Sequence, residues 1–180
     1  GSVQLVLAQP ENQPHRADLA KLLVRRSHRR QGIAEALMRD LGEGRFNAYS
    51  AGTRPNSALN PFALDVLARN GHAVAGLRSK HLSEFQGEGA PKMDFVFTVC
   101  DTAAAEECPP WPGQPISGHW GLPDPVKASG TDAEKGLVFA QTYAGLRRRI
   151  MAFAALPIAQ LDRIALQHRV DQIGLDLDQA

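Results

Sequence analysis

The run Asp94–Val99 (DFVFTV) constrains the fold of this chain more than any other feature. It is an unbroken stretch of β-branched and aromatic residues without alternating polar positions. Such a stretch is typical of a strand that is covered on both faces, as strands of parallel sheets are. Parallel strands need crossover connections, which are usually helices. The run therefore predicts an α/β domain.

Strand and helix patterns alternate along the rest of the chain. Ile33, Leu37 and Leu41 form one apolar helical stripe, and Asn60 followed by Pro61 is a helix start signal. We expect helices from Ile33 to about residue 41, over 61–70, from Asp132 onward, and from Pro157 to about Gly174. Besides Asp94–Val99, we expect strands at Val3–Leu7, Leu19–Val24, Ala48–Ala51 and Ile116–Trp120. Without Val3–Leu7, whose place the sequence leaves open, this order predicts a three-layer fold with a small, mostly parallel four-stranded sheet and helices on both faces.

Length and composition narrow the class of protein. A chain of 180 residues fits one domain over 3–180, with Gly1-Ser2 interpreted as the remnant of a tag. A net charge of +1 gives no argument for nucleic acid binding, and no apolar run approaches the ~20 residues of a membrane helix. Two cysteines indicate a reducing compartment rather than a disulfide scaffold, so we expect a cytoplasmic protein.

Ligands of open α/β sheets bind beyond the carboxyl ends of the strands, where a loop meets a helix N-terminus. That rule selects the loops Val24–Gly32, Cys100–Cys108 and Gly121–Pro125. The first is rich in arginine and precedes a helix, so its backbone N–H groups and guanidinium groups could bind a phosphate or another oxyanion. The alternative is a solvated basic loop without a ligand.

Several separate motifs resemble thioredoxin-coupled arsenate reductases, which are relatives of the low-molecular-weight tyrosine phosphatases. They are Tyr49-Ser50-Ala51-Gly52-Thr53, Asn60-Pro61-Phe62-Ala63-Leu64, Gly76-Leu77-Arg78-Ser79-Lys80, Asp94–Asp101 and His119–Pro125. The resemblance covers about residues 35–174. It implies the low-molecular-weight phosphatase fold, arsenate or phosphate as the oxyanion, and thioredoxin as the reductant of an active enzyme.

The resemblance also implies roles for residues. The family uses an Asp-Pro general acid, which matches Asp124, and two relay cysteines, which match Cys100 and Cys108. Its anion loop is a cysteine, five residues and an arginine. The arginine falls on Arg30, but Val24 stands where the nucleophilic cysteine should be. Valine cannot attack arsenic or phosphorus, so we expect turnover to be impaired and oxyanion binding to be the most that remains.

The segment around that loop has a second resemblance. Residues 3–38 look like the coenzyme A loop of GNAT acetyltransferases. The pattern of that loop is Arg or Gln, two residues, Gly, one residue, and Gly or Ala, and it is met by Arg29, Gly32 and Ala34. Arg30, Gln31 and Ile33 complete the candidate anion or cofactor site. The chain thus looks like a fusion, with a coenzyme A or phosphorylated-ligand binding module as one alternative function. A chimera without activity is the other alternative.

Each candidate has a structural alternative. If 101–107 is helical, the Cα atoms of Cys100 and Cys108 lie about 12 Å apart, too far for a disulfide without unwinding, and both could be idle thiols. Asp124 could be a turn residue before Pro125. We interpret Arg147–Arg149 as a solvated helix face, and we see no metal-ligand spacing among the histidines. Val3–Leu7 could lie at a sheet edge, stay disordered, or pair with a second chain in a strand-swapped homodimer.

Overall fold

The computed structural model describes residues 2–6, 17–20, 22–23, 32–52, 58–99, 111 and 113–176. Its strands are β1 (Ser2–Val6), β2 (Ala17–Ala20), β3 (Leu22–Leu23), β4 (Phe46–Ala51), β5 (Phe95–Thr98) and β6 (Ile116–His119). Its helices are α1 (Ile33–Leu41), α2 (Pro61–Arg69), α3 (Asp132–Ala154) and α4 (Arg163–Asp176). Three short 3₁₀ helices cover Leu82–Phe85, Pro125–Lys127 and Ile158–Gln160.

The strands form one six-stranded sheet, so the predicted number of four strands was too low. The pairs β2–β4, β3–β5 and β5–β6 are parallel, whereas β1 runs antiparallel to β2, β4 and β5. β1 therefore lies between β4 and β5, and not at an edge of the sheet. An interior strand can pair the backbone N–H and C=O groups of both its edges, whereas an edge strand leaves those of one edge unpaired. The predicted α/β class is confirmed.

The main core lies between the sheet and the helices. Phe153 of α3 is its centre: its ring is 5.1 Å from the rings of both Phe95 and Phe97 and 5.9 Å from Trp120, measured between centroids. Trp120 stacks on Phe97 at 3.8 Å and is wholly buried directly after β6. This aromatic cluster fixes α3 against β5 and β6.

The side chains of β4 point alternately to the two faces of the sheet, as those of any strand do. Phe46 belongs to the main core, whereas Ala51 packs with Phe85 and Met93 in a second, smaller cluster. Phe85 ends the 3₁₀ helix Leu82–Phe85, so this helix covers the face opposite to the main core. The sheet is thus the middle layer of three.

Local sequence signals explain where the helices begin. The Asn60 side chain accepts a hydrogen bond from the Phe62 backbone N–H at 2.9 Å, which confirms the predicted start of α2. The single helix predicted from Pro157 was wrong, because the segment is divided into a 3₁₀ turn and α4. Asp162 accepts from the Ala165 N–H at 2.8 Å and starts the second helix anew. In the described ranges, no helix is both long and apolar enough to cross a bilayer.

A polar network joins the ends of α1 and α2 to α3. The His72 ring lies between Asp40 and Tyr143, with Nδ1 2.5 Å from the Asp40 carboxylate and Nε2 2.8 Å from the Tyr143 hydroxyl. Burial raises the pKa of Asp40, but the hydrogen bonds from His72 and Arg39 outweigh it and hold that pKa below its ordinary value. Burial also raises the pKa of Tyr143, so this phenol stays protonated at neutral pH.

The lowered pKa of Asp40 predicts how the stability of the folded chain depends on pH. Ionised Asp40 stabilises the folded state above the ordinary carboxyl pKa of about 3.9, and this contribution disappears as the pH falls through the lower folded value. We expect Asp40→Asn to lower the free energy of unfolding at pH 6 by under about 1 kcal/mol, since the carboxylate is partly exposed. At pH 3 the difference should shrink. Urea unfolding at both pH values measures it.

Asp65→Asn is the matched control, because Asp65 pairs with Arg69 on an exposed helix face at 3.0 Å. Exposed pairs contribute little, so this variant should resemble the wild type at both pH values. An Asp40→Asn deficit that is equally large at pH 3 would mean that the ionised carboxylate is not the source of the stability.

Candidate functional site

The candidate site lies at one edge of the sheet, where several strands end. β1 is antiparallel to β4 and β5, so these two strands point the same way and end at the same edge. The register confirms that they end level, since Ser2 of β1 pairs with Ala51 at one side and with Thr98 at the other. β6 runs parallel to β5 and pairs His119 with Thr98. We call this edge, formed by Ala51, Thr98 and His119, the carboxyl edge.

The first turn of α1 reaches the carboxyl edge. The helix starts at Gly32, which has a left-handed backbone (φ 86°) and provides no side-chain cap. Its missing Cβ would lie 3.1 Å from Leu77, and a side chain would be strained at that φ. Ile33 and Ala34 turn their side chains into the core. The N–H groups of a first helical turn have no acceptor within the helix, and an anion is one kind of group that can accept from them.

A buried ion pair fixes that first turn to the sheet. Lys80 Nζ lies 2.9 Å from Glu35 Oε2, and the Ser50 hydroxyl donates to the same carboxylate oxygen. Lys80 also donates to the Arg78 carbonyl at 3.3 Å. The exposed fractions of the Lys80 and Glu35 side chains are 6% and 14%. Lys80 thus neutralises a carboxylate that would otherwise repel an anion at the start of α1.

The loop after β6 contributes an acid to the same edge. Asp124 caps the 3₁₀ helix Pro125–Lys127 by accepting from the Val126 N–H at 3.2 Å, and Pro125 is buried. Asp124 is therefore a turn residue before Pro125, as one of its two interpretations predicted. The same geometry places an acid in the loop that directly follows the carboxyl edge.

Thr98 and His119 close the edge between the two strands. The Thr98 hydroxyl is 2.7 Å from His119 Nδ1, which ties the last residues of β5 and β6 together. Among the described residues, no three His, Cys, Asp or Glu side chains are grouped so that they could hold a metal ion. The edge therefore combines helix N–H groups, a neutralised carboxylate and an acid-bearing loop.

Comparison with models of known protein families identifies the family of this chain. The model of the low molecular weight phosphotyrosine protein phosphatases matches residues 24–165, which is most of the chain. The chain belongs to the low-molecular-weight phosphatase family. Its match begins at Val24, further upstream than the predicted start near residue 35, so the loop before α1 and α1 itself lie within it.

Curated relatives within this phosphatase family carry the name arsenate reductase. One from Halalkalibacterium halodurans is 35% identical over 109 residues, covering 61% of this chain and 75% of the relative. Another from Shouchella clausii is 32% identical over 127 residues, covering 69% and 86%. A solved structure, "An arsenate reductase in the phosphate binding state", aligns with a TM-score of 0.56 at 22% identity, covering 76% of this chain and 95% of that one. This likeness supports the predicted phosphatase-like fold.

The predicted site residues of this phosphatase-family chain divide into two groups. Gly32, Ile33, Ala34 and Asp124 are described, and they lie at the start of α1 and in the loop beyond the carboxyl edge. Val24, Arg29, Arg30, Gln31, Cys100 and Cys108 lie outside the described residues. The roles of the second group, the fusion with an acetyltransferase-like segment and the redox pair stay predictions.

Two features of the site were missed or wrongly interpreted from the sequence. The Glu35–Lys80 pair joins residues 45 positions apart, and only the first-turn position of Glu35 hinted that it faces the site. Arg147 and Arg148 are exposed, as expected, but Arg149 is completely buried, so the prediction of a solvated face was wrong for that residue. The three arginines are consecutive, and a helix turns about 100° per residue, so they cannot share one face.

Proposed function

We propose that this chain binds a tetrahedral oxyanion, arsenate or phosphate, at the N-terminus of α1 and does not turn it over. The observation that carries the proposal is the convergence of the uncapped first turn of α1, the Glu35–Lys80 pair and the Asp124 loop at the carboxyl edge. Helix N-termini at such edges bind anions through their N–H groups and the helix dipole. The family relationship and the phosphate-bound state of a related arsenate reductase support the same ligand class.

The lack of turnover follows from one residue. Reduction of arsenate and hydrolysis of phosphate esters in this family, as the sequence resemblance implies, begin with attack by a cysteine thiolate. The alignment through α1 puts Val24 at that position, and an alkyl side chain offers no nucleophile. Arg30 falls on the arginine of the loop and can hold an oxyanion with a bidentate fork.

Coenzyme A is the second candidate ligand, and one observation favours it. The acetyltransferase pattern needs a glycine where the backbone approaches a pyrophosphate, and Gly32 adopts φ 86°, which glycine tolerates and other residues rarely do. Arg29 and Ala34 complete that pattern in the sequence. Both ligands would use the same helix start, so they should compete.

A thermal-shift titration tests the proposal. A ligand that binds only the folded state raises the melting temperature, and 100 Kd of free ligand stabilises by about 2.7 kcal/mol. We expect arsenate and phosphate to raise the melting temperature, sulfate to do so less, and Arg30→Ala to abolish the shift. Arg148→Ala is the control, since Arg148 is exposed on α3.

Other outcomes separate the candidates. A shift with coenzyme A that arsenate does not compete away, and that Arg29→Ala removes, would favour the acetyltransferase-derived function. No shift with any of these ligands at saturating concentration would leave a family fold without ligand binding, and the proposal would be wrong.

A further inference from the structure

Arg149 is a completely buried cation that the proposed oxyanion site does not use. It lies on α3 and is among the largest fully buried side chains of the described residues. Arginine is almost never fully buried unless its donors are satisfied, because desolvation of the guanidinium is expensive. Its Nη2 donates to the Gly121 carbonyl and its Nη1 to the Gly145 carbonyl, both at 3.3 Å. One of these acceptors lies in the loop that carries Asp124.

The surface of α3 around Arg149 is shaped to receive this loop. A Cβ on Gly145 would lie 2.9 Å from Leu122 Cδ2 and 3.5 Å from Arg149 Nη1, so the Leu122 side chain would have to shift to admit a larger residue. On its other side the loop is tied to the sheet, because the Leu122 N–H donates to the Val99 carbonyl at 3.2 Å. The loop is therefore held between β5 and α3.

We propose that Arg149 is a positioning residue, which holds the Gly121–Pro125 loop against α3 and so fixes Asp124 at the carboxyl edge. The Gly121 carbonyl, which accepts from Arg149, lies three residues before Asp124, and the buried Pro125 directly follows Asp124. The loop thus has two anchors, one on each side of the acid. The consequence for Asp124 as an acid rests on the anion site of the proposed function and applies to a chain in which Val24→Cys supplies the nucleophile, whereas the clamp on the loop depends on neither.

Amide hydrogen exchange of the wild-type chain and its variants tests the clamp. Loss of a hydrogen bond to a charged group permits local opening, and we expect Arg149→Met to accelerate exchange of the Leu122 amide by about tenfold or more. The Ile116 amide, which donates to the Asp94 carbonyl at 2.7 Å at the far end of β6, should accelerate much less. Arg149→Lys keeps the charge and most of the packing, so it should give an intermediate rate. Arg148→Met, on the exposed side of α3, should change neither amide.

Several results would overturn the clamp. The Leu122 amide could already exchange without protection in the wild type, or its rate could be unchanged in Arg149→Met. Its rate could also rise only as much as that of the Ile116 amide. Each of these results would show that Arg149 does not hold the loop. If Arg149→Met does not fold, Arg149→Lys decides by the same comparison of the two amides.

A second measurement tests the consequence for Asp124. In the Val24→Cys background, hydrolysis of a phenyl phosphate needs an acid for its leaving group, whereas 2,4-dinitrophenyl phosphate needs little. Arg149→Met and Asp124→Asn should both slow the first substrate by about tenfold or more and the second much less. Equal slowing of both substrates by Arg149→Met would count against positioning. Absence of turnover in Val24→Cys itself would refute the loop alignment alone, and the exchange experiment would still decide the clamp.

Discussion

Val24→Cys is expected to give this chain phosphatase activity, with an increase in rate of at least about 10³-fold over the wild type. The reason is the alignment of the loop before α1, which puts residue 24 at the nucleophile and Arg30 at the anion-binding arginine. A thiolate there would attack phosphorus, form a phosphocysteine and expel the aryl oxide, which takes a proton from Asp124. Water then attacks the phosphocysteine, gives a proton to the Asp124 carboxylate and releases phosphate, which restores the thiolate. The helix N-terminus would lower the pKa of such a thiol and supply the thiolate at neutral pH.

Two controls isolate the nucleophile. Val24→Ser adds a hydroxyl group, which is a poor nucleophile at its ordinary pKa, so it should give no comparable gain. Val24→Cys combined with Arg30→Ala should lose the gain through weaker anion binding. The measurement is release of nitrophenol from an aryl phosphate. A folded Val24→Cys chain that binds phosphate but releases no product would show that residue 24 does not point at the anion.

The same variant also decides between the two interpretations of the cysteines. Reduction of arsenate to arsenite takes two electrons, which the thiol introduced by Val24→Cys would supply together with Cys100 and Cys108 as a relay to thioredoxin. If the relay is intact, Val24→Cys reduces arsenate with thioredoxin, and adding Cys108→Ser stops reduction but leaves phosphatase activity. If the two native thiols are idle, only phosphatase activity is measured and Cys108→Ser changes nothing.

Local signals were sufficient for much of the fold. β5 was predicted because its apolar run does not alternate, and α2 because Asn60 and Pro61 are adjacent start signals. The place of β1 could not be predicted, because its partners β4 and β5 begin more than forty residues later and no local pattern specifies them. Arg149 is a single residue whose environment local sequence patterns also could not predict. Its two preceding neighbours in sequence are exposed, and its hydrogen bond to the Gly121 carbonyl joins residues 28 positions apart, which no local pattern predicts.

The features of the candidate site also fall into those that local motifs predict and those that depend on distant segments. Gly32 and Asp124 stand in recognisable motifs, so the sequence pointed to both ends of the carboxyl edge. The ion pair between Glu35 and Lys80 depends on three separate segments, α1, β4 and the loop before the 3₁₀ helix Leu82–Phe85. No spacing rule connects them, although the charges next to the proposed anion follow from this pair.

The Glu35–Lys80 pair should have large effects on stability. Removing one partner leaves the other charge buried, so Lys80→Met and Glu35→Gln are each expected to lower the free energy of unfolding by about 3–5 kcal/mol. The double variant leaves no buried charge, and we expect it to be less destabilised than the sum of the two single variants, with a coupling energy of about 1–3 kcal/mol. Urea unfolding of the four proteins at pH 7 measures the cycle. Additive effects would mean that the two side chains do not interact.

Anion binding should respond to the same variants with opposite signs, which separates charge from stability. Lys80→Met leaves a negative charge at the first turn of α1, whereas Glu35→Gln leaves a positive one. For a unit charge about 10 Å from the anion at an effective dielectric constant of ~20, the interaction changes affinity by about tenfold. Phosphate should therefore bind more weakly to Lys80→Met and more tightly to Glu35→Gln, although both variants are less stable than the wild type. If both variants lost affinity together, the pair would support binding by holding α1 in place and not through a charge next to the anion. Unchanged affinity in both variants would mean that the anion does not lie at the start of that helix.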